Sequence, residues 1–128
     1  MAADPVFAST PRHEAVSVSS TADTSRTAPS TYVTLLTAGS SGTKIESLVF
    51  EGTGTTVAGV VVVFIYDGST YHDFYEEAVT AVTASTTAAA YRTERTFDNL
   101  ILKAGESLRV TSQVASQLIK VHAFGGDF

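Results

Sequence analysis

A nearly regular succession of short, β-branched segments, each closed by turn residues, constrains this chain more than any other feature. His13 to Ser19 (HEAVSVS), Thr31 to Thr37 (TYVTLLT), Lys44 to Glu51 (KIESLVFE) and Gly59 to Tyr66 (GVVVVFIY) read as strands. So do Tyr71 to Val79 (YHDFYEEAV), Tyr91 to Phe97 (YRTERTF), Ser107 to Ser112 (SLRVTS) and Gln117 to Phe124 (QLIKVHAF), with Leu100-Ile101-Leu102 leading into the turn before Ser107. Turn-rich TADTSRTAPS, AGSSG, GTGT, Asp67-Gly68-Ser69-Thr70 and Lys103-Ala104-Gly105-Glu106 separate them. Threonine and serine make up about a quarter of the residues, and the stiff χ1 of threonine and valine favours a pleated surface over a helix. No stretch sustains the three-four apolar spacing of an amphipathic helix.

The expected fold is all-β: an antiparallel, jelly-roll-like β-sandwich of about eight short strands in two sheets. An eight-stranded barrel remains the alternative. Gly59 to Tyr66 is apolar at both parities, as a strand covered on both sides should be. Tyr71 to Val79 should return from it as a hairpin through the Asp67-Gly68 turn. Thr80 to Ala90 lacks large side chains after Val82 and reads as a strand end and then a loop. A chain of 128 residues has room for one core, so residues 13–128 are expected to form a single domain. Residues 1–12, broken by Pro5 and Pro11, are expected to form an extended N-terminal arm. Val6 and Phe7 within it either tuck onto their own domain or reach across to a neighbouring subunit.

Composition excludes several chemistries. With no cysteine there is no disulfide framework, thiolate zinc site or cysteine nucleophile. A net charge of −5, with eight basic residues spread along the chain, speaks against nucleic acid or an anionic membrane as a partner. The longest apolar run, Val57 to Tyr66, is about half the roughly 20 residues of a membrane-spanning helix.

Reactive constellations are scarce. His72 and Asp73 are strand neighbours on opposite faces, and His13 and His122 meet only if the first and last strands pair. Two histidines without a third ligand make a poor metal site. Glu76 and Glu77 split across their strand and read as a solvated edge, not an acid/base couple. No serine sits in a G-x-S-x-G elbow, and Gly52-Thr53-Gly54-Thr55 lacks the lysine and helix of a phosphate loop. Arg92 and Arg95 flank Glu94 on opposite faces, which suits pairing within the chain. The expectation is no enzyme, no cofactor and no metal. The richest contact chemistry is the cluster Tyr71, His72, Phe74, Tyr75, which reads either as a core strand with Phe74 inward and Tyr71 and Tyr75 half-exposed, or as a partner-contact face of Tyr71, His72 and Tyr75 for a protein or a carbohydrate.

The segments MAADPVFASTPR, TAGSSGTKIESLVFEGTGTTVAGVVVVFIYDG, LILKAGESLRV and AFGGDF together resemble a group of small β-sandwich virion proteins of tailed bacteriophages. The similarity covers nearly the whole chain and lies in strands and turns, so it carries over no functional residue. It implies a structural virion protein, foremost a capsid decoration (cement) protein that binds and stabilises the assembled head. A tail or fibre accessory protein is the alternative, and a carbohydrate-binding or adhesion-like sandwich the third reading. The implied partners are the major capsid protein or other virion proteins, together with copies of the chain itself, a trimer being favoured. The implied location is the virion, on the capsid surface or in the tail, after synthesis in the host cytoplasm. On this reading Pro5, Val6, Phe7 and Pro11 would contact a neighbouring subunit or the capsid, and Phe124 and Phe128 either form a second, C-terminal contact or fold back onto the sheet.

Overall fold

A computed structural model describes residues 9–128. Eight strands follow one another: β1 (Thr10–Ser17), β2 (Val33–Thr37), β3 (Thr43–Gly52), β4 (Gly59–Tyr66), β5 (Tyr71–Val79), β6 (Arg92–Leu102), β7 (Ser107–Ser112) and β8 (Ile119–Asp127). They form two antiparallel four-stranded sheets, ordered β1-β8-β3-β6 and β2-β7-β4-β5. The fold is therefore an all-β sandwich of two separate sheets and not a closed barrel. Apart from the β4–β5 hairpin, every connection passes from one sheet to the other.

The strands lie where the sequence pattern puts them, with their ends moved. β6 runs past Phe97 to Leu102, and β1 begins before His13. Thr10, Pro11 and Arg12 do not belong to a free arm but pair with Asp127, Gly126 and Gly125. Pro11 is tolerated because β1 is an edge strand, where a missing N–H breaks no ladder on the open side. Pro5, Val6 and Phe7 lie outside the described residues. Thr80 to Ala90 is a loop, tied to the β3–β4 connection by the bridge between Val82 and Thr56.

The inner faces of both sheets supply the core: Ile45, Leu48 and Phe50 from β3, Val61 and Val63 from β4, Leu108 and Val110 from β7, Val121 and Ala123 from β8. Ile45 and Leu48 are three residues apart, which a flat strand would send to opposite faces. A bulge at Glu46, between the pairs Ile45–Gly125 and Ser47–Phe124, resets the parity so that both point inward. Gly125 is the residue that permits this bulge. A Cβ there would lie 1.9 Å from the Lys44 carbonyl oxygen.

The second face of β4 is covered as well, since Val62 and Phe64 are as fully buried as Val61 and Val63. Loop 18–32 supplies much of the cover. The Asp23 amide bonds to the Ser112 carbonyl of β7, and Arg26 reaches Glu76 of β5. Asp23 also shapes the loop by accepting hydrogen bonds from the amides of Ser25, Ser30 and Thr31. Those amides, Thr31 foremost, hold its carboxyl below the usual aspartate value.

Candidate functional site

Three polar constellations stand out, one on each outer face and one at the sandwich edge. On the outer face of the β1-β8-β3-β6 sheet, β1–β8 pairing brings His13 Nε2 to 2.8 Å from His122 Nδ1. His122 Nε2 lies 2.7 Å from Glu51 Oε1 on β3. This hydrogen bond, above all other influences, holds Glu51 below its ordinary carboxylate value. Phe124 packs parallel to His13, with ring centroids 4.5 Å apart, and is 40% exposed. Beside it, Val49, Glu51, Arg92, His122 and Phe124 line a shallow depression of ≈ 270 Å³. A Glu–His–His chain of this kind can orient the rings and hold a proton. Among the described residues no hydroxyl bonds to it, and no group of three metal-binding side chains converges.

On the opposite face, β7 presents Arg109 to three tyrosines. Its guanidinium carbon lies 3.8 Å from the ring centre of Tyr66, 4.3 Å from that of Tyr32 and 5.5 Å from that of Tyr71. Arg109 Nη1 also donates to the Tyr71 hydroxyl at 2.6 Å. This is cation–π stacking, with the charge held between aromatic faces. Burial is the main cause raising the Tyr71 phenol above its usual value, with Arg109 working against it. Nearby, Asp67 closes the β4–β5 turn by accepting from the amides of Ser69 and Thr70 and by bonding to His72 Nε2. The His72 bond and these amides hold the Asp67 carboxyl well below the usual range.

At the edge where β5 and β6 lie, Glu77 is not solvated as expected but only 4% exposed, because it shares the inward parity of its partner Val61. Arg95 donates to it through Nε and Nη2 at 2.8 and 3.0 Å, and the hydroxyls of Tyr75 and Tyr91 complete its partners. A buried carboxylate is tolerable only when satisfied in this way.

The expected partner-contact face of Tyr71, His72 and Tyr75 is divided. Phe74 bulges between the pairs Asp73–Phe64 and Tyr75–Val63, which reverses the side-chain parity beyond it. Tyr71 consequently lies on the outer face with Arg109, His72 is exposed beside Asp67, and Tyr75 turns inward against Phe50 and Phe97. Phe124 and Phe128 do not form one C-terminal patch either. Phe124 lies on the outer sheet face, while Phe128 folds back onto the β2–β3 turn, its amide bonded to the Gly42 carbonyl. Arg95 pairs within the chain as its position beside Glu94 suggested, but its partner is the more distant Glu77.

The Arg109 and Glu77 clusters escaped the sequence reading. The outward parity of Arg109 between Leu108 and Val110 was legible, but the tyrosines around it come from three other segments. Comparison with known proteins adds no relative: no family model, no curated protein and no solved structure matches the chain.

Proposed function

We propose that this chain is a structural virion protein of a tailed bacteriophage, a decoration protein that binds the assembled head and stabilises it. The reading rests on the similarity of its strand and turn segments to such proteins. The single structural observation supporting it is the position of Ser9. The chain enters the sandwich at an outermost strand, with the Ser9 amide bonded to the Asp127 carbonyl, so the proline-bearing segment before it joins at a sheet edge. An adhesive segment attached there can engage a neighbour without dismantling the core. The alternation of consecutive strands between the sheets is read as a jelly roll, and the assembly as a homotrimer on the capsid surface. Cementing needs no reactive centre. A protein that binds only the assembled lattice stabilises it by mass action, and many copies add their contributions through avidity.

Quantitative mass spectrometry of purified particles tests this, with electron microscopy to locate the chain. A decoration protein is present at on the order of hundreds of copies, set by the capsid symmetry, and its removal lowers the temperature at which heads lose DNA. Deleting residues 1–8 lowers its occupancy. A handful of copies confined to the tail would favour the second reading, a tail or fibre accessory protein. The Tyr32, Tyr66, Tyr71 and Arg109 cluster supports that alternative, because tyrosine and arginine dominate interface hot spots.

A further inference from the structure

His13 and His122 belong to strands at opposite ends of the chain, and their contact crosses the pairing that holds β1 at the sheet edge. The two rings are within 5° of parallel, with centroids 5.1 Å apart and facing nitrogens 2.8 Å apart. The centroid separation exceeds the nitrogen separation by about two ring radii, so the rings meet edge to edge in nearly one plane. This is the geometry of an in-plane N–H···N hydrogen bond. Glu51 fixes its direction. A carboxylate accepts from His122 Nε2–H, leaving Nδ1 as the acceptor for His13 Nε2–H.

Counting protons shows what the pair can tolerate. Two nitrogens at this distance hold one hydrogen between them. With both rings neutral, His13 supplies it. With one extra proton the bond survives, either ring being the cation while the other accepts. A second extra proton puts a hydrogen on both facing nitrogens and a positive charge on both rings, and the bond cannot form. Across the sheet, the charged groups facing the pair are Glu51 on β3, Glu94 and Arg92 on β6, and Lys120 on β8. Glu14 on β1 is engaged by Arg12.

We propose that the His13–His122 pair is an acid-opened clasp on edge strand β1, closed while the pair carries at most one extra proton and opened by the second. The clasp does not depend on the virion reading. The opened state binds more protons than the closed one, so attachment of β1 strengthens with rising pH and weakens on acidification. Arg12 holds β1 independently of the pair, through its bonds to the Thr37 carbonyl and to Asp127. Opening is therefore a local loosening of β1 from His13 onward and not global unfolding.

Amide hydrogen exchange on the full chain is compared at about pH 7.5 and about pH 5. After correction for intrinsic rates, β1 amides bonded to β8 exchange about tenfold faster at the acid end relative to those of β7. His13 is exposed, so His13→Gln should fold normally. Its side-chain N–H can still donate to His122 Nδ1 but cannot titrate, and the acid response disappears. Nitrogen-15 NMR at neutral pH shows both imidazoles protonated at Nε2. An unchanged acid response in His13→Gln, no acid response in the native chain, or a His122 protonated at Nδ1 when neutral would each overturn the clasp.

Discussion

Replacing Gly125 with alanine tests whether the β3–β8 bulge is as tightly specified as its geometry indicates. The added Cβ would stand 1.9 Å from the Lys44 carbonyl oxygen, 2.9 Å from its carbon and 3.0 Å from the Ile45 Cα. All three belong to the β3 backbone, held on its far side by β6, so no flexible side chain can swing away. Relief requires β8 to lift from β3. That disturbs Asp127, which accepts from Thr43 Oγ1 at 2.6 Å and from Arg12 Nη1 at 3.3 Å. Overpacking costs about 1–3 kcal/mol and two weakened hydrogen bonds about 1 kcal/mol each, for a total of about 3–5 kcal/mol. At about 2.1 cal/mol/K of unfolding entropy per residue, a chain of 128 residues then loses roughly 11–19 °C in Tm. Circular-dichroism melts and urea titrations read this directly. Gly68→Ala is the control. With φ at 104° and nothing within 4 Å of the added Cβ, it should cost only left-handed backbone strain of about 1–2 kcal/mol. A Gly125→Ala melt no lower than that of Gly68→Ala would refute the close-approach argument.

Three other outcomes are expected. Glu77→Gln removes the charge that Arg95 and two tyrosines satisfy, costing about 1–3 kcal/mol by urea unfolding at neutral pH. Burial alone would raise the Glu77 carboxyl, but the Arg95 and Tyr75 hydrogen bonds outweigh it and lower the value. Its contribution is therefore full above the ordinary glutamate range and lost as pH falls through the lower folded value, so the variant's acid limb below about pH 4.5 is shallower than the native one. Burial, followed by the hydrogen bond and charge of Glu76, pushes Asp73 up to about 6. Stability is then full below the unfolded aspartate value and lost as pH rises through about 6. Asp73→Asn should be more stable than the native chain at neutral pH by on the order of 1 kcal/mol, the two converging below about pH 4 in denaturant titrations. Arg109→Lys keeps the charge but not the planar stack on Tyr66 and Tyr32, at a cost of about 1 kcal/mol with altered near-ultraviolet tyrosine dichroism. An unchanged melt and spectrum would mean that the stack contributes nothing.

The candidate surfaces were legible only in part, and the reason differs from residue to residue. His13 and His122 were placed on the first and last strands by sequence, with the condition that the two strands must pair; the pairing itself lies in the sheet order. Tyr71 and Tyr75 share a parity in a regular strand, and only the Phe74 bulge separates them. Pro11 looked like part of an arm because proline is a poor ladder residue, but that argument does not apply to an edge.

Alternation, β-branching and turn residues are local properties. They determined by themselves that this chain is all-β, where its eight strands fall, and that Gly59 to Tyr66 is covered on both faces. Which strands become neighbours, where a ladder slips by one residue, and which side chains from distant segments share a face depend on how two twisted sheets close over one core. The tertiary structure alone decided those, because a bulge or a crossover changes every later contact while leaving hardly a trace in the local pattern. The His13–His122–Glu51 chain, the Arg109 stack and the Glu77 ion pair all belong to that second kind.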